Sequence, residues 1–173
     1  LLGVRPEQSD AVLAALNLNI FARHADRVRM ANIAQMVNVL QAMIITDRDK
    51  MVLTPTYHVF KMYVPFQDAT FVPVTFDAGW YTNGAVALPR VDAIAAKDSA
   101  GTLWLAITNL DPKRPADLAV RLSGMSARTA AGETLTAAAV DAVNTFQAPT
   151  LVAPKPISAK VQGDRLSLTL EPK

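Results

Sequence analysis

Polar and apolar residues alternate with two different periods along this chain, and the change falls near residue 64. From residue 9 the apolar positions Val12, Leu13, Leu16 and Ile20 recur at three- and four-residue spacing behind Ser9, a residue type that caps helices. Asp26 offers a second cap, with Val28, Ile33, Met36, Val37 and Leu40 again at helical spacing. "VNVLQAMII", residues 37 to 45, is then almost continuously apolar, which predicts a strand covered on both faces, as in a parallel sheet flanked by helices. The charged stretch "TDRDK" ends it. Thr54 followed by Pro55 is a strong helix start, and Tyr57, Phe60 and Tyr63 follow at helical spacing.

Beyond Pro65 the period shortens. "ATFVPVTF", "AVALPRVDAIAA", "TLWLAITN", "DLAVRLS" and "RLSLTLE" alternate or run apolar between Gly, Pro, Asn and Asp clusters. Asn83-Gly84 marks a hairpin. Short strands at this spacing predict an antiparallel β-sandwich, with residues 137 to 156 as a weakly periodic connection across it. A single buried parallel strand cannot satisfy its own faces and edges. The chain therefore divides into residues 1–64, the closing helix–strand–helix unit of a larger parallel α/β structure, and residues 65–173, the sandwich; the start at Leu1, without an initiator Met, agrees with a piece of a longer protein.

Composition narrows the chemistry. With 51% hydrophobic and 18% charged residues among 173, the chain can build a core, and a net charge of +2 without a basic cluster argues against a nucleic-acid partner. No apolar run reaches the roughly 18 to 20 residues of a membrane span, and no secretory leader pattern opens the chain. There is no cysteine, which removes thiolate chemistry and disulfides; the two histidines, His24 and His58, lack metal-ligand spacing. Neither a metal nor another cofactor is implied.

"ALNLNIFARHADRVRMANIAQMVNVLQAMIITD", followed by "KMVLTPTYHVFKMY" and "DAT", closely resembles the glycoside hydrolase family 51 α-L-arabinofuranosidases, and the likeness continues through "VDAIAAKD", "LWLAITNLDP", "NTFQAP" and "GDRLSLTLEPK". It covers nearly the whole chain and is densest from Ala14 to Tyr63. The resemblance implies a (β/α)8 barrel followed by a jelly-roll sandwich, so that residues 1–64 are the last part of the barrel. It implies release of terminal α-L-arabinofuranosyl residues from arabinoxylan and arabinan oligosaccharides with retention of configuration. It also implies an upstream barrel segment as partner, a homo-oligomer such as a hexamer, and a cytoplasmic location. A stand-alone carbohydrate-binding or assembly sandwich without catalysis is the alternative.

A retaining glycosidase works with two carboxyl groups about 5 to 5.5 Å apart. This chain has three glutamates: Glu7 precedes the first helix, and Glu133 and Glu171 fall in the sandwich. None is placed at the C-terminal end of a barrel strand, so the catalytic pair is expected upstream. The loop after strand eight, about residues 46 to 56, would lie at the active face. Thr54 stands where the resemblance implies a sugar-contacting Gln, and Tyr57 and His58 follow as candidate pocket residues; helix capping and helix packing are the competing roles for Thr54 and Tyr57. Asp47 and Asp49 read as a surface turn, and Asn32 and Asn38 as structural. His24 with Asp26 reads as a cap or an ion pair with Arg27 or Arg29. Trp80 and Tyr81 beside the hairpin suit sugar stacking or, with greater weight, packing, and Trp104 reads as core.

Overall fold

The computed structural model describes residues 6 to 34 and 36 to 173. Helix α1 (Gln8–Arg23) is followed by an irregular stretch, a hairpin of β1 (Ile44–Asp47) and β2 (Lys50–Leu53), and helix α2 (Pro55–Met62). A short 3₁₀ turn leads into β3 (Thr70–Val72), β4 (Trp80–Asn83), β5 (Val86–Pro89), β6 (Val91–Lys97), β7 (Leu103–Asn109), β8 (Ala116–Arg121), β9 (Gly132–Thr134), β10 (Lys155–Ile157), β11 (Lys160–Gln162) and β12 (Arg165–Leu170).

The second half is a pair of three-stranded antiparallel sheets, β3-β6-β7 and β11-β12-β8, with small ribbons β9-β10 and β4-β5 beside them. Val91 of β6, Ala116 of β8 and Leu170 of β12 form the buried cluster between the sheets, with Ile107, Leu118 and Leu168 packed on it. The alternating burial of β8 and β12 is what a strand with one core face and one wet face produces. Asn83 pairs with Val86 across the expected hairpin, where Gly84 takes the left-handed φ of +57° that such a turn needs. Residues 137 to 156 do cross without regular strands until β10. Asn144 holds them: its amide donates to Leu53 O and Val152 O (2.8 Å each) and its carbonyl accepts from Val152 N (2.7 Å).

The first half departs from the sequence expectation in three ways. The helix expected after Asp26 does not form. Residues 24 to 34 are turns and irregular chain, and α1 is closed at His24, which is exposed and meets Arg27 at 3.3 Å. The strand expected over residues 37 to 45 is also replaced. Asn38 and Gln41 adopt left-handed φ values of +57° and +55°, which break an extended run, and only Val37 bridges Ile44 in parallel fashion. Ile44–Asp47 instead folds back on Lys50–Leu53 in antiparallel register, through a turn with Arg48 at φ +54°. Asn38 stabilises this path, accepting from Thr46 N (2.7 Å) and donating to Thr46 Oγ1 (2.8 Å).

The third difference concerns which face of α1 is covered. Its buried positions are Gln8, Ala11, Ala15 and Asn19, spaced three and four residues apart, while Leu13 and Ile20 remain 52% and 46% exposed. The small-residue stripe packs on Val59 of α2 and on Tyr63 and Leu135. Ser9 is not the cap either: the helix starts after Glu7, whose N–H donates to Asp10 (2.8 Å).

Candidate functional site

The loop and helix start that carry the candidate residues are built from Thr54 outward. Thr54 has extended backbone angles, its hydroxyl accepts from Tyr57 N at 3.4 Å, and Pro55 occupies the first helical position, where its missing N–H costs nothing. The same hydroxyl donates to Ala42 O at 2.8 Å, and Thr54 N donates to Met43 O. Thr54 is 1% exposed. Its side chain is thus engaged internally as donor and acceptor, and it ties α2 to the chain entering β1.

Tyr57 and His58 follow in the first turn of α2, both half-buried, with their rings edge-on at 5.5 Å. Burial lowers the His58 pKa, Lys61 one turn on acts in the same direction, and Glu133 of β9 opposes them. The imidazole is therefore biased toward its neutral form, able to donate from one nitrogen and accept at the other. Thr56 beside them is buried, with no partner for its hydroxyl among the described residues. It lines a cavity of about 220 Å³ between α1, residues 31 to 33, Gln41 and α2, to which Asn17, Phe21 and Phe60 also contribute.

The other candidates lie elsewhere. Asp47 and Asp49 are exposed in the β1–β2 turn. Glu7 caps α1, Glu133 sits in β9, and Glu171 follows β12, where its backbone carbonyl accepts from Asn109. Trp80 is 64% exposed on the β4–β5 ribbon, beside half-buried Tyr81. Trp104 is half-buried and donates to Asp98 (2.9 Å), which together with the Thr102 N–H holds the Asp98 pKa down. No group of three or more His, Asp or Glu suited to a metal ion occurs among the described residues, and none of their helices is long and apolar enough to cross a membrane.

Sequence reasoning missed the network behind α2. Tyr63 donates to the Asn19 carbonyl oxygen (2.6 Å), the Asn19 amide donates to Asp92 Oδ2 (2.8 Å), and Arg23 grips both carboxylate oxygens of Asp92 (2.9 and 3.2 Å). The one available signal was Asn19 four residues after Ala15, a polar side chain in line with the two buried alanines of α1.

Residues 2–173 match the family model described as the α-L-arabinofuranosidase C-terminal domain. The chain is 41% identical over 148 residues to an intracellular exo-α-L-arabinofuranosidase from Bacteroides ovatus, covering 85% of this chain and 29% of that protein. Its fold superposes on the crystal structure of the GH51 arabinofuranosidase from Xanthomonas axonopodis pv. citri with a TM-score of 0.95 at 47% identity, over 99% of this chain and 35% of that one. A family 51 α-L-arabinofuranosidase from Bifidobacterium longum gives a TM-score of 0.86 at 26% identity, over 99% of this chain and 34% of its own. The chain thus spans about a third of the length of these relatives.

Proposed function

The chain belongs to the α-L-arabinofuranosidase C-terminal domain family, and from that premise we propose that the polypeptide containing it is a retaining glycosidase. Its substrates are arabinoxylan and arabinan oligosaccharides, from which it removes terminal α-L-arabinofuranosyl residues. In this reading residues 1–64 are the closing part of a (β/α)8 barrel and residues 65–173 a jelly-roll sandwich. The upstream segment supplies two carboxyl groups, one attacking the anomeric carbon and one protonating the leaving oxygen before activating water. This chain contributes the rim of the sugar pocket: Tyr57 and His58 face the arabinosyl unit, and Thr54 holds the helix start that presents them. The enzyme acts inside the cell, as the name of the Bacteroides ovatus relative states for that protein, and assembles as a homo-oligomer.

The observation that carries the reading is the open apolar surface of the first half. Leu13, Ile20 and Phe21 of α1, with Met30, Met36, Val37, Val39, Leu40 and Met51 beyond it, are all exposed. A free-standing binding module has no use for so much uncovered apolar surface, whereas a segment of a larger barrel needs it. The test is hydrolysis of p-nitrophenyl α-L-arabinofuranoside by the full-length polypeptide, by this chain alone, and by this chain mixed with the separately produced upstream part. Activity is expected in the first and third samples and not in the second. Lack of activity in a folded full-length polypeptide would sink the reading.

A further inference from the structure

We infer that Asp92 of the sandwich is a positioning residue for the sugar-facing turn of α2, acting through Asn19 and Tyr63; this rests on the function proposed above. The contact between α1 and α2 centres on Ala11, Ala15 and Val59, with Ala14, Leu18 and Tyr63 packed around them. Its buried centre is made of small and β-branched side chains, so Leu18 and Tyr63 are the bulky groups left to define how far one helix slides along the other. Asn19 stands in its midst with 0% exposure. A buried amide is costly unless both its ends are bonded.

The bonding has a direction. An ionised carboxylate only accepts, so Asp92 compels the Asn19 NH₂ group to turn toward it. The Asn19 carbonyl oxygen is then left pointing at Tyr63, the one orientation in which the phenol can donate at 2.6 Å. Arg23 neutralises the carboxylate and fixes its plane through two bonds. Ala15 O lies 3.3 Å from the same hydroxyl, whose single hydrogen is directed at the nearer Asn19 oxygen. A residue of β6 thereby decides where the C-cap of α2 sits.

Helix α2 is a short rigid element of eight residues, about 12 Å long at 1.5 Å per residue. Its N-terminal end is pinned by Thr54 to Ala42, and Tyr57 and His58 lie between the two pins. Releasing the pin at Tyr63 lets the helix slide on its alanine contact and moves both rings. Losing one hydrogen bond to the sugar in this way weakens binding by about 2- to 13-fold. Because these rings bind rather than react, KM rises while kcat changes by less than about twofold.

The test uses the full-length polypeptide with 3-fluorotyrosine placed at position 57. Asp92→Ala removes the hub, Tyr63→Phe removes only the phenol donor with the ring volume retained, and Asp117→Ala on exposed β8 serves as control. Tyr63→Phe is the variant that answers if Asp92→Ala does not fold. The expected result is a moved ¹⁹F resonance and a KM for p-nitrophenyl α-L-arabinofuranoside raised about 2- to 13-fold in the two network variants, with the control unchanged. An unmoved resonance and unchanged KM, accompanied only by a lower melting temperature, would overturn the inference and leave the network a structural staple. A moved resonance in a parent protein inactive on arabinofuranosides would instead refute the enzymatic reading while the placement of α2 by Asp92 stands.

Discussion

In the sandwich, β6 buries Val91, Ile94, Ala95 and Ala96, and Ala116 of β8 and Leu170 of β12 pack with Val91 in the cluster between the sheets. In the first half, α1 buries two alanines and two amides and turns Leu13 and Ile20 outward. The two halves are joined by directed polar contacts, Asn19 and Arg23 to Asp92 and Asn144 to Leu53, together with Leu135 packed on the Ala11–Ala15–Val59 cluster. A region that closes on itself can specify its structure by volume and alternation. A region that meets several partners at once needs hydrogen bonds to say which surface goes where, and keeps its larger side chains for what is still to be covered.

This contrast is broken or sharpened by substitution. The largest effect is expected in the closed half: Ile94→Ala, at a position 1% exposed, should cost about 2 to 5 kcal/mol in urea unfolding of the chain. Next comes Thr54→Val, which removes a cap acceptor and a buried donor and should cost about 1 to 2 kcal/mol by the same measurement. In the open half, Leu40→Ser should change the stability of the isolated chain by less than about 0.5 kcal/mol. The same substitution should weaken reassembly with the upstream part, read as lost activity in the mixing experiment. An equal cost of Leu40→Ser in the isolated chain and in the assembled protein would mean that this surface is not a docking face.

The smallest effect is a pH dependence at the junction. The His58 pKa is lowered from the ordinary 6.5, by burial first and Lys61 second, against Glu133. The unfolded chain therefore takes up a proton before the folded one does. The resulting stability is complete above pH 6.5 and is lost as pH falls below it toward the folded value. A His58→Gln variant should show a flatter stability profile between pH 7 and 5 by chemical unfolding. A profile unchanged by the substitution would show that His58 is as free in the folded chain as in the unfolded one.

Several elements are legible in the sequence. Strands β3, β5 to β8 and β12 followed from short alternating or apolar runs, the β4–β5 hairpin from Asn83-Gly84, and α2 from Thr54-Pro55, because each rests on interactions within a few residues; the three-residue strands β9, β10 and β11 left no such pattern. Thr54 illustrates the boundary of that legibility. Its capping role is local and was readable, but its bond to Ala42 O, which closes both its hydrogen-bonding capacities, joins residues twelve apart and was not.

By itself, then, the sequence determined the local periods, the turns and the family resemblance, all of which are written in short-range patterns and dense residue identity. Tertiary structure alone decided that residues 37 to 43 do not extend into a strand, that α1 buries Ala11 and Ala15 while Leu13 and Ile20 face out, and that Asp92 reaches α2 through Asn19. Periodicity marks which side of an element is apolar but not which surface arrives to cover it. A polar bond between residues 73 positions apart leaves no periodic trace in either segment.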